Sequence, residues 1–115
     1  MAHYAFLDDN NIVTEVIVGR NEDEVVDGIS DWEAHYGEFR GQTCKRTSYN
    51  GNIRGKYAAI GDLYNEEEDI FISPKPSESW VRNGSFWNPP IPMPTEGGPW
   101  MWVETDLNWQ IVPTE

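Results

Sequence analysis

Cysteine, cationic side chains and long apolar runs are what this chain has least of. A single cysteine, Cys44, stands among 115 residues. That excludes an internal disulfide and any zinc site built on a cysteine cluster. Lysine and arginine number 8 against 20 aspartates and glutamates, for a formal charge of −12. Proteins that grip nucleic-acid backbones or anionic membranes need cations to displace counterions, so this balance argues against direct contact with DNA, RNA or an anionic bilayer. It favours solubility and mutual repulsion between copies. No stretch approaches the roughly 18 apolar residues that a membrane-spanning helix needs. The opening MAHYAFLDDN has no basic n-region and no long apolar run. It predicts a chain made without a secretory leader and folding in a reducing cytoplasm.

What the chain does have is aromatics. They make up 13% of it and include six tryptophans, within a hydrophobic share of 38%. Disordered acidic chains are aromatic-poor, so this composition points to a folded protein with one modest core. The length fits a single small domain over 1–115, with a hairpin, helix and strand-turn core in 1–61 and aromatic hairpins joined by proline-rich linkers in 62–115.

Residues 2–20 read as a hairpin. Ala2–Leu7 is apolar and aromatic, Asp8-Asp9-Asn10-Asn11 is a turn cluster, and Ile12–Val18 is β-branched up to Gly19. Residues 21–37 read as the one helix. Asn21 and Glu24 have the spacing of a capping box, and Val25, Ile29, Trp32 and Tyr36 form an apolar stripe. Gly37 suits the C′ position, while Gly28 weakens the middle, so the regular part is expected to start near Asp27. Gln42–Ser48 reads as a short strand, and Asn50-Gly51 is the strongest turn dipeptide in the chain. Arg46, Arg54 and Lys56 mark the one weakly basic region.

The C-terminal half repeats a spacing. Tyr64 and Phe71, Trp80 and Trp87, and Trp102 and Trp109 are each seven apart, and Pro74, Pro90 and Pro113 follow the respective pairs. Each unit reads as strand, polar turn, strand and proline exit, with its two aromatics facing across the ribbon. The expected fold is therefore β-rich α+β, several antiparallel hairpins forming a small sheet with one short helix.

No catalytic or metal-binding constellation survives inspection of the spacing. Asp8–Asn11 lacks the ligand pattern of a calcium loop and reads as a turn. Glu66-Glu67-Glu68-Asp69 reads as a solvated hairpin tip, because adjacent turn residues point apart. Cys44 lies in GQTCKRT, which has no protease signature, and reads as a strand residue. His3 and His35 have no partner at metal-ligand spacing. The expectation is a protein without catalytic residues, metal or cofactor. The tryptophans of 80–109 leave two readings open: a platform for a sugar or peptide, or cover for a small sheet.

Three segments carry a resemblance. They are MAHYAFLDDNNIVTEVIVG (1–19), TSYNGNIRGKYAAIGDLYNEEEDIFISPKPSESW (47–80) and the closing aromatic hairpin. Together they resemble a family of small proteins of marine tailed phages, of the cyanophage type. Its pattern T-S-Y-N-G-N-x-R-x-x-Y-A-x-I-G-x-x-Y is matched from Thr47 through Arg54 and Tyr57 to Tyr64, and its P-x-P-x-x-S-W by Pro74 to Trp80. The chain departs from the family by a shorter helix region and by Cys44-Lys45-Arg46 where a tryptophan often precedes T-S-Y, so the core under this strand is expected to pack differently. The resemblance implies a phage protein and, for a small β-rich one, a virion part made in the host cytoplasm.

The resulting expectation is a capsid decoration or cement protein on the outside of the head. Its partner would be the major capsid protein or another virion protein, with further copies of itself as a second contact. Tyr49, Asn50, Arg54, Tyr57, Trp80 and Trp87 are the expected partner face, because aromatic and cationic residues are enriched at interfaces. The alternatives are a tail- or fibre-associated virion protein, where a glycan-binding tip belongs, and an early protein that binds a host protein.

Overall fold

The computed structural model describes residues 2–113. The fold is β-rich α+β with one α-helix. Contacts divide the chain into two compact units, Met1–Pro74 and Lys75–Glu115. The division falls after Pro74 rather than at 61/62, so the hairpin of Tyr64 and Phe71 belongs to the first unit.

The first unit is organised by β1 (Ala2–Leu7), the middle strand of an antiparallel sheet whose outer strands are β2 (Val13–Gly19) and β3 (Thr43–Thr47). AHYAFL is nearly continuous in apolar residues, and both faces of β1 are covered. Ala2, Tyr4 and Phe6 pack with Trp32, Cys44, Ile17, Ile29 and Tyr36. Ala5 and Leu7 pack with Val13, Ala58, Tyr64, Phe71 and Val16. Side chains alternate along a strand, so a slip of one residue would exchange Tyr4 for Ala5 and wreck both layers. The Asp8 turn forms as expected, its carboxylate accepting from the amides of Asn10 (2.8 Å) and Ile12 (3.0 Å). Phe6 faces Glu15 and Leu7 faces Val13, which leaves Thr14 as a bulge residue.

The helix is shorter and later than expected. Helix α1 spans Trp32–Arg40, capped by Asp31, whose carboxylate accepts from the Ala34 amide at 3.1 Å. The Asn21 amide does donate to Glu24 Oε2 at 3.1 Å, but the Glu24 amide donates back to the Asn21 main-chain carbonyl (3.1 Å) and not to its side chain, so the pair closes only a turn. Asp27 and Gly28 stop the helix there. Both have positive φ (53° and 80°), and Val26 and Ile29 pair across them as a two-residue hairpin. Ile29, Trp32 and Tyr36 nevertheless face the core as the stripe predicts, while Val25 is exposed. The left-handed C-terminal position belongs to Gly41 (φ 71°), not Gly37. Gly37 lies inside the helix, where a Cβ would come within 2.8 Å of the Gln42 carbonyl.

Over the other face of β1 lie an irregular loop, 48–62, and the ribbon of β4 (Leu63–Asn65) and β5 (Ile70–Ile72). Tyr64 and Phe71 face one another in it, ring centroids 5.5 Å apart. The loop is stitched down by buried polar groups. The Thr47 hydroxyl accepts from the Ala58 amide at 2.8 Å, and Lys56 Nζ donates to the buried Asp62 carboxylate at 2.6 Å.

The second unit holds two separate ribbons, β6 (Val81–Asn83) with β7 (Phe86–Asn88), and β8 (Trp100–Val103) with β9 (Asn108–Ile111). The expected strands are thus distributed over four antiparallel sheets. Trp102 faces Trp109 as the spacing predicts, but Trp87 faces Arg82, not Trp80. Loop length is the reason. Asn65 pairs Ile70 and Val103 pairs Asn108, leaving four-residue loops, whereas Asn83 pairs Phe86 and leaves only Gly84-Ser85. A loop two residues shorter moves the register and sends Trp80 out of the ribbon.

The close approach of α1 to β3 gives the first test. Gly37→Ala should destabilise the fold by about 1–3 kcal/mol through overpacking against backbone, whereas Ala at the exposed Glu38 should be near neutral. Urea unfolding of the two variants measures the difference.

Candidate functional site

The six residues expected to form a partner face fall into three settings. In the first unit, Tyr49 and Tyr57 come together with His3, a residue whose neighbours in sequence suggest no role for it. Ring centroids are 5.4 Å apart for Tyr49–Tyr57, 5.5 Å for His3–Tyr57 and 6.1 Å for His3–Tyr49. Pairing of His3 with Thr47 places the histidine beside the Tyr49 turn. Tyr49 is 71% exposed and Asn50 is exposed beside it at the turn, where the Gly51 amide donates to Ser48 O at 2.8 Å.

Arg54 is in a different setting. Its side chain is 18% exposed and committed inward. Nη1 donates to Glu33 of α1 and to the Arg46 carbonyl of β3, each at 2.8 Å, and Nε donates to Asp69 at 2.7 Å. The Glu33 carboxylate also accepts from the Arg46 amide. Glu33 and Arg54 together therefore occupy both outward backbone groups of Arg46 and cap the free edge of β3. Asp69 also accepts from the Tyr64 hydroxyl. Hydrogen bonds from Tyr64 and Arg54 hold the Asp69 carboxyl below its ordinary value, while burial and the Asp69 carboxylate push the Tyr64 phenol up to about 12. The last acid of the expected solvated tip, its side chain still 59% exposed, thus ties that tip to Arg54 and Tyr64. Its positive φ of 55°, like that of Arg54 (52°), was not legible from composition.

In the second unit, Trp80 meets Trp102 and Trp109 edge-on, with centroids 5.9 and 6.2 Å away, and Trp102 and Trp109 are 5.3 Å apart. The indole N–H groups of Trp102 and Trp109 donate to Glu104 (2.8 Å) and the Ile91 carbonyl (2.7 Å). Glu104 also accepts from the Ser79 amide and hydroxyl at 3.0 and 2.8 Å, and these hydrogen bonds, Trp102's first, lower its pKa. Trp87 lies on the β6–β7 ribbon, with Lys75 Nζ 5.6 Å from its ring centroid.

Cys44 is buried on β3 opposite Phe6, and burial, reinforced by Glu33, pushes its thiol up to about 12. Among the described residues no three His, Cys, Asp or Glu side chains converge as a metal site would require, and no helix is long and apolar enough to cross a membrane. Fold and geometry together describe a small β-rich α+β protein with exposed aromatic groups on each unit. Comparison with protein-family models, with curated proteins and with solved structures finds no match.

Removing Arg54 takes the cation away from Glu33 and Asp69 and leaves the Arg46 carbonyl without its bond. Arg54→Met should therefore destabilise the first unit by about 2–3 kcal/mol in chemical unfolding. Asp69 supplies a pH signature. A carboxyl whose folded pKa is depressed adds stability above its ordinary value of 3.8 and loses it as pH falls through the folded value. Asp69→Asn should be less stable than the parent at neutral pH, with the gap closing below about pH 4. Paired melts across that range measure the effect, and a gap that widens in acid would contradict the assignment.

Proposed function

We propose that this chain is a structural protein of a phage particle, a decoration protein that binds the outside of the head with the major capsid protein as its partner. One observation supports the binding part of this reading. No apolar side chain of the second unit is buried among its described residues, while Val81, Phe86, Ile91, Met93, Met101, Leu107 and Ile111 are each at least 37% exposed. A unit of this size does not sustain a core alone and gains stability when a partner covers its apolar surface. Aromatic groups with half-exposed faces are where binding energy concentrates. The excess of acid keeps bound copies from aggregating with one another. The particle setting rests on the resemblance of residues 1–19 and 47–80 to the marine tailed-phage family.

Within this reading Tyr49, Asn50 and Tyr57 form one contact group, and Trp80 and Trp87 belong to the other. Arg54 acts by holding the 48–62 loop, because its guanidinium is already bonded inside the unit. Its charge reversal would therefore test folding before it tested attachment, and surface truncations are the cleaner probes.

Mass spectrometry of gradient-purified particles should find the chain at a fixed ratio to the major capsid subunit. Phe86→Ser and Tyr49→Ala should each weaken rebinding to stripped particles about tenfold, the usual cost of an interface anchor. A ratio tied to tail proteins would move the site to the tail or fibre. Absence from particles would overturn the virion reading and favour an early protein that binds a host protein.

A further inference from the structure

The two edges of the first unit's sheet are treated differently. The β3 edge is closed by Glu33 and Arg54 at Arg46, and at Cys44, its other outward residue, by α1, where a Cβ on Gly37 would lie 3.5 Å from the Cys44 amide nitrogen. On the β2 edge, the Asp62 carbonyl and Gly61 amide occupy only Val13, at 2.8 Å each. Arg46 faces Tyr4 and turns its amide and carbonyl outward, so Tyr4 bonds to Ile17 on its other side. Alternation along an antiparallel ladder then leaves the amides and carbonyls of Val16 and Val18 on the outer edge of β2. Among the described residues no hydrogen bond reaches them. The strand VTEVIVG is β-branched and has neither lysine nor proline, the usual protections of an edge. Beside it, between β2 and α1, lies a cleft of about 240 Å3 lined by Phe6, Ile17, His35, Tyr36, Phe39 and Arg40. Phe39 is 85% exposed at its mouth.

We infer that the open β2 edge, with Phe39 and its cleft, is a self-association surface through which two copies join their sheets by antiparallel β2–β2 pairing. A twofold axis through Ile17 gives this pairing its register. Val16 of each copy then faces Val18 of the other, and the two pairs exchange four main-chain hydrogen bonds. Glu15 faces Gly19, so no acid meets an acid, and Arg20 of each copy falls opposite Thr14 of the other. On the helix-bearing face the two Ile17 side chains meet, flanked by the two clefts and their Phe39 rings. On the other face Val18, 53% exposed, is covered. The capped β3 edge prevents further growth, so pairing closes at two copies rather than running into a filament. The surface covered is on the order of 500 Å2 per copy, below the roughly 800 Å2 per partner of a standard stable interface. The dimer is therefore weak and reversible. Because each copy carries −12, added salt strengthens it. The pairing does not depend on the chain being part of a particle.

Sedimentation equilibrium of the full chain over a range of concentrations tests this. The expected result is a monomer–dimer equilibrium without larger species, tightened by salt. Phe39→Ser and Val18→Lys should each weaken it at least about tenfold, with the thermal midpoint of the dilute protein unchanged, while Trp102→Ala should leave it intact. Amide exchange at Val16 and Val18 should slow as concentration rises. Val18→Lys lies within a strand, so Phe39→Ser is the decisive variant where the lysine disturbs folding. A chain that stays monomeric at all concentrations and salts, association that Phe39→Ser does not weaken, or growth beyond two copies would each overturn the proposal.

Discussion

The first unit depends on β1 being buried on both faces. A strand covered on one side needs only alternate apolar residues, but one covered on both must be apolar almost throughout, and AHYAFL is. That double burial dictates what else the chain must supply. One face needs a helix, which α1 provides through Trp32 and Tyr36. The other needs a lid, which the 48–62 loop and the β4–β5 ribbon provide through Ala58, Tyr64 and Phe71. Neither cover contributes a large core alone, so each is held by polar contacts as well.

Those contacts carry a cost that explains their detail. Polar groups taken out of water must be paired, and the pairing has to be nearly complete to repay the desolvation. Asp62 accepts from Lys56 and from the Ala59 amide. Arg54 divides its donors among α1, β3 and the β4–β5 turn. The same guanidinium that joins three elements also closes one edge of the sheet. Packing of the loop and protection of the β3 edge thus share a side chain, whereas Val16 and Val18 on the outer edge of β2 have no such cover.

The second unit is built on another principle. It has no buried apolar side chain among its described residues and relies on three mutually edge-on tryptophans, with two indole N–H groups bonded within the unit. Edge-to-face aromatic contacts give direction as well as area, which suits a small unit without an interior. Its short ribbons leave apolar side chains uncovered, where the first unit confines most of its own to two layers.

Much of this was legible in the sequence. Apolar continuity marked β1, the Asp8–Asn11 cluster marked its turn, and β-branching marked β2. The stripe of Ile29, Trp32 and Tyr36 named the helix face, and the seven-residue spacing placed Tyr64 opposite Phe71 and Trp102 opposite Trp109. These signals are local, arising from the backbone preferences and periodicity of neighbouring residues. The tertiary structure decided what depends on distant partners or on loop geometry. Asp27 and Gly28 took up a left-handed turn because Val26 and Ile29 could pair across it, which moved the helix start to Asp31. A two-residue loop shifted the register of β6–β7 and released Trp80 to the other tryptophans. Arg54 read as a surface cation because sequence shows its charge but not the carboxylates 21 residues before it and 15 after it. Whether a charged side chain faces water or spans three elements is set by which segments the fold brings within hydrogen-bond reach, and residue order along the chain does not carry that distance.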